Sequence, residues 1–306
     1  MFYRLILKLL SNNNDGSLHR FAPTLISIFS QLSRLNPFKR SLPLSPVNAM
    51  GLTFPNPVGL AAGFDRTAKT LSYSEIIGFG FIEIGTLNID ATKALDKTTH
   101  TTLQNLSKAT ANKSESKHPQ QWGINLGSLR NTLDEHTVAD YTRGMNLFWQ
   151  YADYLVINLS RPESDARALK LDLYGLDLFL TNIKFEHQAL CTEKRKYIPV
   201  LAKLAIDYHH NESMEDLLLL LKNRSYDGVI LAFENWPNIQ QITDYLTNLK
   251  TKIDDFPFIV VGGIRSTADA QQLIYSGASL VQTYTSLVQQ GPLQTRQMIA
   301  KLVNEV

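Results

Sequence analysis

A set of polar side chains stands where short apolar runs end. Thr86 follows the run Gly80–Gly85, Asn125 lies in Trp122–Leu126, Asn158 closes Tyr154–Asn158, and Lys203 lies in Pro199–Leu204. An asparagine amide both donates and accepts, so Asn125 and Asn158 suit the polar edge of a heterocycle. Lys203 is a compact cation suited to a ring position that gains negative charge on reduction. Ala61-Ala62-Gly63 ends another run, and small residues there let a flat ring approach the backbone. Gly262 and Gly263 carry no Cβ, so their N–H groups can come close to a ligand. With Tyr284 and Thr285 they follow the last two runs, the usual phosphate position in a parallel barrel. Together these residues suit a phosphate-bearing cofactor. Singly each has a plainer role: a turn, a rim charge, an ordinary strand–helix junction.

Eight short runs must position them: Val58–Ala62, Gly80–Gly85, Trp122–Leu126, Tyr154–Asn158, Pro199–Leu204, Gly228–Ala232, Phe258–Val261 and Ser279–Tyr284. Helical patterns separate most of them, at Thr67–Ile77, Asp134–Tyr151, Leu171–Cys191, Glu212–Arg224, Asn238–Lys250 and Thr267–Ser276, with Pro292–Val303 as a closing helix. Ser266 suits the N-cap of Thr267–Ser276, and Gly277 its close. Eight strand–helix steps predict a closed (β/α)8 TIM barrel, residues 43–306, with a doubly wound open sheet as the other candidate. Leu87–Gln121 is rich in Lys, Thr and Ser and breaks the rhythm, which predicts a mobile excursion over the barrel mouth.

The first 42 residues predict two short amphipathic helices with basic flanks. Two readings stay open there: helices lying on an anionic membrane surface, or helices packed on the core. The chain has 306 residues and a net charge of +2, so no general nucleic-acid field is implied. One cysteine, Cys191, excludes an intrachain disulfide and a cysteine-cluster metal site, and fits a reducing compartment. No metal site is expected. No apolar run reaches the length of a membrane span.

The combination of strand-end polar residues and a phosphate cradle suggests a flavin mononucleotide site, although spacing alone does not name the cofactor. Longer runs carry a resemblance. NPVGLAAGFD at Asn56–Asp65, IGFGFIEIGT at Ile77–Thr86, GINLG at Gly123–Gly127, YADYLVIN at Tyr151–Asn158, VGGI and GASLVQTYT make the chain similar to the class 2, quinone-linked dihydroorotate dehydrogenases over nearly its whole length. The resemblance implies an FMN-binding barrel that oxidises dihydroorotate to orotate in pyrimidine synthesis and passes electrons to a membrane quinone. It implies that residues 1–40 form the quinone entrance, with His19 near a family histidine. A place in the cytoplasm, peripheral on the inner membrane, goes with it. Carried over, the FMN contacts are Ala62, Gly63, Thr86, Asn125, Asn158, Lys203, Gly262, Gly263, Tyr284 and Thr285.

The departures fall on the substrate side. The family's loop after the fourth strand reads N-x-S-S-P-N-T, its second serine being the base. Here it is Asn158-Leu159-Ser160-Arg161-Pro162-Glu163-Ser164. A guanidinium stays protonated, so Arg161 cannot take a proton at the base position. Glu163 would repel an anionic pyrimidine. The family's F-D-K-N-G becomes Phe64-Asp65-Arg66-Thr67-Ala68, its N-R-M-G-F-N-N has no counterpart, and its T-N-T becomes Ala232-Phe233-Glu234. Of the substrate positions, Asn158 is kept and Arg66 matches in charge. What is expected is a dihydroorotate dehydrogenase-like FMN protein with a degraded substrate site and base. The alternatives are a flavin-binding pseudoenzyme or partner subunit, and a flavin oxidoreductase for another substrate.

Overall fold

The computed structural model describes residues 44–113, 119–160, 173–209, 211 and 213–305. The N-terminal helices expected within residues 1–42, with His19, and the residues Arg161 and Glu163 lie outside that range.

Eight parallel strands close into a barrel. They are β3 (Val58–Leu60), β4 (Phe81–Asn88), β5 (Gln121–Gly127), β6 (Tyr154–Asn158), β7 (Val200–Asp207), β8 (Gly228–Glu234), β9 (Phe258–Val261) and β10 (Leu280–Thr283). Each of the eight predicted runs overlaps one of them, and β10 closes the ring by pairing with both β3 and β9. Among the described residues the helices are α1 (Leu71–Ile77), α2 (Lys97–Lys113), α3 (Glu135–Phe148), α4 (Leu173–Lys194), α5 (Met214–Asn223), α6 (Ile239–Ile253), α7 (Thr267–Tyr275), α8 (Thr285–Gln290) and α9 (Pro292–Glu305). Ser266 caps α7 in a capping box with Asp269, as its position predicts. No described helix is long and apolar enough to cross a membrane.

A hairpin precedes the barrel, β1 (Val47–Ala49) and β2 (Leu52–Phe54), which pair antiparallel. It closes the floor. Met50 and Phe54 pack with Phe81, Tyr154, Val156, Leu201, Ile230, Ile259 and Leu280 in one buried cluster. The Phe54 and Phe81 rings meet edge to face at 5.3 Å. Bulky rings need vacant neighbours: a Cβ on Gly59 would lie 2.3 Å from the Phe81 ring, and one on Gly123 2.1 Å from that of Tyr154. Strand side chains repeat every two residues. The next layer is therefore set two residues on from this floor, and it is there that Glu83, Lys203 and Gln282 stand.

The excursion predicted over Leu87–Gln121 is corrected: it holds the 17-residue helix α2. Apolar periodicity is weak there because side-chain bonds to backbone do much of the anchoring. The Thr102 hydroxyl donates to the Arg66 carbonyl at 2.8 Å, and the Asn105 amide to that of Thr67 at 2.8 Å. Leu106 is wholly buried beneath. The helix thus fixes the turn after β3. Asp65 holds the same turn from inside, accepting from the Thr67 N–H and from the Thr70 N–H and hydroxyl.

Candidate functional site

Glu83 is the centre of a polar network inside the barrel. Its side chain is fully buried on β4, between Ile82 and Ile84. Oε1 accepts from Asn125 Nδ2 at 2.5 Å and from Lys203 Nζ at 2.7 Å, and Oε2 accepts from Gln282 Nε2 at 2.7 Å. One carboxylate so ties together β4, β5, β7 and β10. Two links then run to the carboxyl ends of the strands. Asn158 Nδ2 donates to Asn125 Oδ1 at 3.1 Å and to Thr86 Oγ1 at 2.8 Å. Asn158 Oδ1 accepts from the Ser160 N–H at 3.0 Å and its hydroxyl at 2.7 Å. The Asn158 carbonyl is held by Tyr141 of α3 at 2.8 Å.

The sequence-predicted residues therefore fall into two groups. Thr86, Asn125, Asn158 and Lys203 converge in the network. Ala62, Gly63, Gly262, Gly263, Tyr284 and Thr285 lie at the ends of β3, β9 and β10, which are adjacent in the ring. In this second group Gly63 donates to the Gly85 carbonyl at 2.7 Å, joining the β3 turn to β4. Phe64 and Tyr284 meet edge to face at 6.0 Å. Burial raises the Tyr284 hydroxyl above its ordinary range, with the nearby Arg66 guanidinium opposing. Arg66 itself is exposed at the mouth. At Gly262 (φ +113°) a Cβ would lie 2.7 Å from the Phe233 carbonyl, so β8 also requires this glycine.

Several buried polar atoms here lack a protein partner among the described residues: Gln282 Oε1, Thr283 Oγ1 and Ser286 Oγ. The three residues are at most 2% exposed. A buried hydroxyl or amide left unpaired costs about 1–3 kcal/mol, so each of the three calls for a polar partner. α8 starts at Thr285 with no side chain capping its first amides. The Tyr154 hydroxyl is also unpaired. Burial first, and then the Glu83 carboxylate, push it well above the usual phenol range.

The rim over β7 and β8 is different in kind. Asp207 and Glu234 are register partners at the ends of these strands. Burial, then Asp207, raises the Glu234 carboxyl above the ordinary range. Phe233 is buried, and its ring packs on Trp236 at 5.1 Å and Tyr245 at 6.1 Å, with Tyr208 on the far side of Trp236 at 5.1 Å. Trp236 Nε1 donates to the Ile206 carbonyl at 2.9 Å. Among the described residues no cluster of His, Cys, Asp and Glu has a metal-binding arrangement.

Glu83 and Gln282 were not among the residues picked out from the sequence. The signal was present in Phe81-Ile82-Glu83-Ile84: one carboxylate in an apolar buried strand needs a partner.

The family model for dihydroorotate dehydrogenase matches residues 237–306. The dihydroorotate dehydrogenase (quinone) of Idiomarina loihiensis is 31% identical over 334 aligned positions, covering 98% of this chain and all of that protein. That of Proteus mirabilis is 31% identical, covering 100% of both chains. Among solved structures, a ligand-free DHODH of Eimeria tenella has a TM-score of 0.74 at 22% identity, covering 94% of each chain. A DHODH from the same organism in complex with ferulenol has a TM-score of 0.76 at 22% identity, covering 98% of this chain and 94% of that one. At such identity the structural likeness speaks for the fold.

Proposed function

The chain belongs to the dihydroorotate dehydrogenase (quinone) family, and on that premise we propose that it keeps the family's FMN site but not its dihydroorotate chemistry. The observation that carries this is a split at the barrel mouth. Thr86, Asn125, Asn158 and Lys203 converge in one network. The family's substrate asparagine position on β8 instead holds Phe233, turned into an aromatic cluster.

FMN supplies two-electron redox chemistry when bound. Asn125, Asn158, Thr86 and Lys203 are the groups that would hold the polar edge of its ring. Gly262, Gly263, Tyr284 and Thr285 would hold its phosphate, and Ala62 and Gly63 leave room for the ring. The unpaired Gln282 oxygen, whose amide nitrogen bonds Glu83 in the interior, supports a polar ligand in the barrel.

On the substrate side, Asn158 is kept, and its amide bonds to Thr86, Asn125 and Ser160 within the protein. Asp207 and Glu234 set negative charge at the rim, which opposes an anionic pyrimidine. Arg161 stands at the family's base position and stays protonated. Losing an acid–base group typically costs about two to four orders of magnitude in rate. This leaves a flavin-binding pseudoenzyme, a partner subunit or an oxidoreductase for another small molecule. Residues 1–42 are proposed to meet a quinone and the cytoplasmic face of a membrane. Liposome flotation of the full chain against one lacking them tests that; equal flotation refutes it.

An anaerobic titration tests the main proposal. The purified protein is expected to carry a flavin absorbance band that dithionite bleaches and dihydroorotate does not. Rapid bleaching by dihydroorotate refutes the loss of the family reaction. Protein with no flavin released on denaturation refutes the retained cofactor site.

A further inference from the structure

Glu83 is not among the residues that would touch the proposed cofactor, yet it holds three side chains beneath the mouth. A fully buried carboxylate is costly unless paired, and a buried ion pair is weak as a source of stability. Its placement therefore calls for a reason beyond holding the barrel closed. Every bond it makes is to a side chain in the interior: Asn125, Lys203 and Gln282, from three different strands. Lys203 is the described network's cation, and its ammonium is 2.7 Å from Glu83 Oε1.

We propose that Glu83 is a positioning residue that sets the reduction potential of the bound flavin by neutralising and aiming Lys203. An isolated ammonium beside the ring would favour the reduced, negatively charged form of the cofactor. A carboxylate at contact distance cancels most of that field in a low-dielectric interior. The pair gives the flavin a directed N–H donor with little net charge. Asn125, anchored on the same oxygen, and Gln282, on the other, stop the carboxylate from rotating away. This inference rests on the FMN reading above.

A charge square tests it, with the midpoint potential of the bound flavin as the readout. Glu83→Gln leaves a net positive pair. It should shift the oxidised-to-reduced equilibrium about tenfold toward reduced flavin, an upward change of about 30 mV for a two-electron couple. Lys203→Met leaves a net negative site and should shift it about as far the other way. The double variant Glu83→Gln/Lys203→Met is neutral again and should return close to the wild-type potential. Glu83→Asp, which keeps the charge, should fall nearer to wild type than Glu83→Gln does. Single variants that retain flavin at an unchanged potential overturn the inference. So does a double variant as low as Lys203→Met, a comparison that stands even if Glu83→Gln does not fold. A wild-type protein without flavin overturns the FMN reading together with this one. Wild-type flavin with potentials in any other order overturns this one alone.

Discussion

Among the described residues two lysines are buried, one among the carboxyl-end network residues and one near the amino-terminal starts of β7 and β8, and they are treated differently. Lys203 points into the barrel and donates to a fully buried carboxylate at 2.7 Å. Lys184, on α4, lies 3.7 Å from Asp227 Oδ2 and has no hydrogen bond within reach among the described residues. The rings of Tyr197 and Tyr226 stand 5.8 Å from its nitrogen. Burial pulls the Lys184 ammonium below its ordinary range, and Asp227 only partly offsets this. Asp227 meanwhile is satisfied elsewhere, by the Tyr197 hydroxyl at 2.5 Å and the Val200 N–H at 2.8 Å. At the carboxyl end the carboxylate depends on its lysine; at the amino end it does not. Barrel enzymes keep chemistry at the first end and stability at the second, and the two lysines follow that division.

The largest effect expected from this contrast is at Lys203. Lys203→Met strands Glu83 without a counter-ion and should cost about 3–5 kcal/mol in urea unfolding. A loss below about 1 kcal/mol would mean that Asn125 and Gln282 suffice, and the contrast between the ends would collapse. Next comes Trp236→Ala on the β8 rim. The indole packs on three aromatic rings but is only half-buried, so a loss of about 2 kcal/mol is expected, below the range for a fully buried ring. Flavin content should not change, because the rim lies apart from the network. Loss of flavin in a folded Trp236→Ala protein would merge the two regions.

How much of this could be read beforehand varies with the kind of signal. The strands of the barrel were legible because each is a short apolar run bounded by Gly, Pro or a polar strand end; β6 and β9 agree to the residue. That Asn125, Asn158, Thr86 and Lys203 meet was legible because each stands in or just after a run expected to point to the barrel mouth. Glu83 was not, since it is the third residue of β4, well before the strand's end at Asn88, and only its partners from distant strands show its purpose. Helix α2 was hidden for another reason. Leu103 and Leu106 are its only large apolar residues, and its anchors are a threonine and an asparagine bonded to backbone. The β1–β2 hairpin is too short to show alternation, and its turn places Met50 at positive φ, where glycine or asparagine would have been the signal. Lys184 gives no signal of its own as one residue in a long helical pattern.

A smaller effect is expected where the network meets the floor. The Tyr154 hydroxyl is buried, unpaired among the described residues, and raised by burial and by Glu83. Tyr154→Phe removes a stranded polar group without changing the ring's packing, and should stabilise the protein by about 1 kcal/mol. A loss of stability in thermal unfolding would mean that the hydroxyl has a partner, and the layer boundary between apolar floor and polar network would have to be redrawn.

The smallest effect is at Lys184, and its sign varies with pH. Lys184→Met leaves Asp227 with two hydrogen bonds and replaces a strained ammonium by an apolar chain of similar length, so at neutral pH the change should stay within about 1 kcal/mol. The folded-state pKa of Lys184 is lowered, so as pH rises through that value the folded protein sheds the proton while the unfolded chain keeps it, up to about pH 10.4. In that interval the unfolded state binds more protons, and stability rises with pH. Tyr197, raised by burial and by its bond to Asp227, acts in the opposite direction above about pH 10, where the unfolded tyrosine ionises first. Subtracting the variant's stability profile from that of the wild type isolates the lysine. The difference should climb through the alkaline range and level off near pH 10.4. A flat difference would mean that Asp227 fully offsets the burial of Lys184, and the contrast drawn between the two buried lysines would fail.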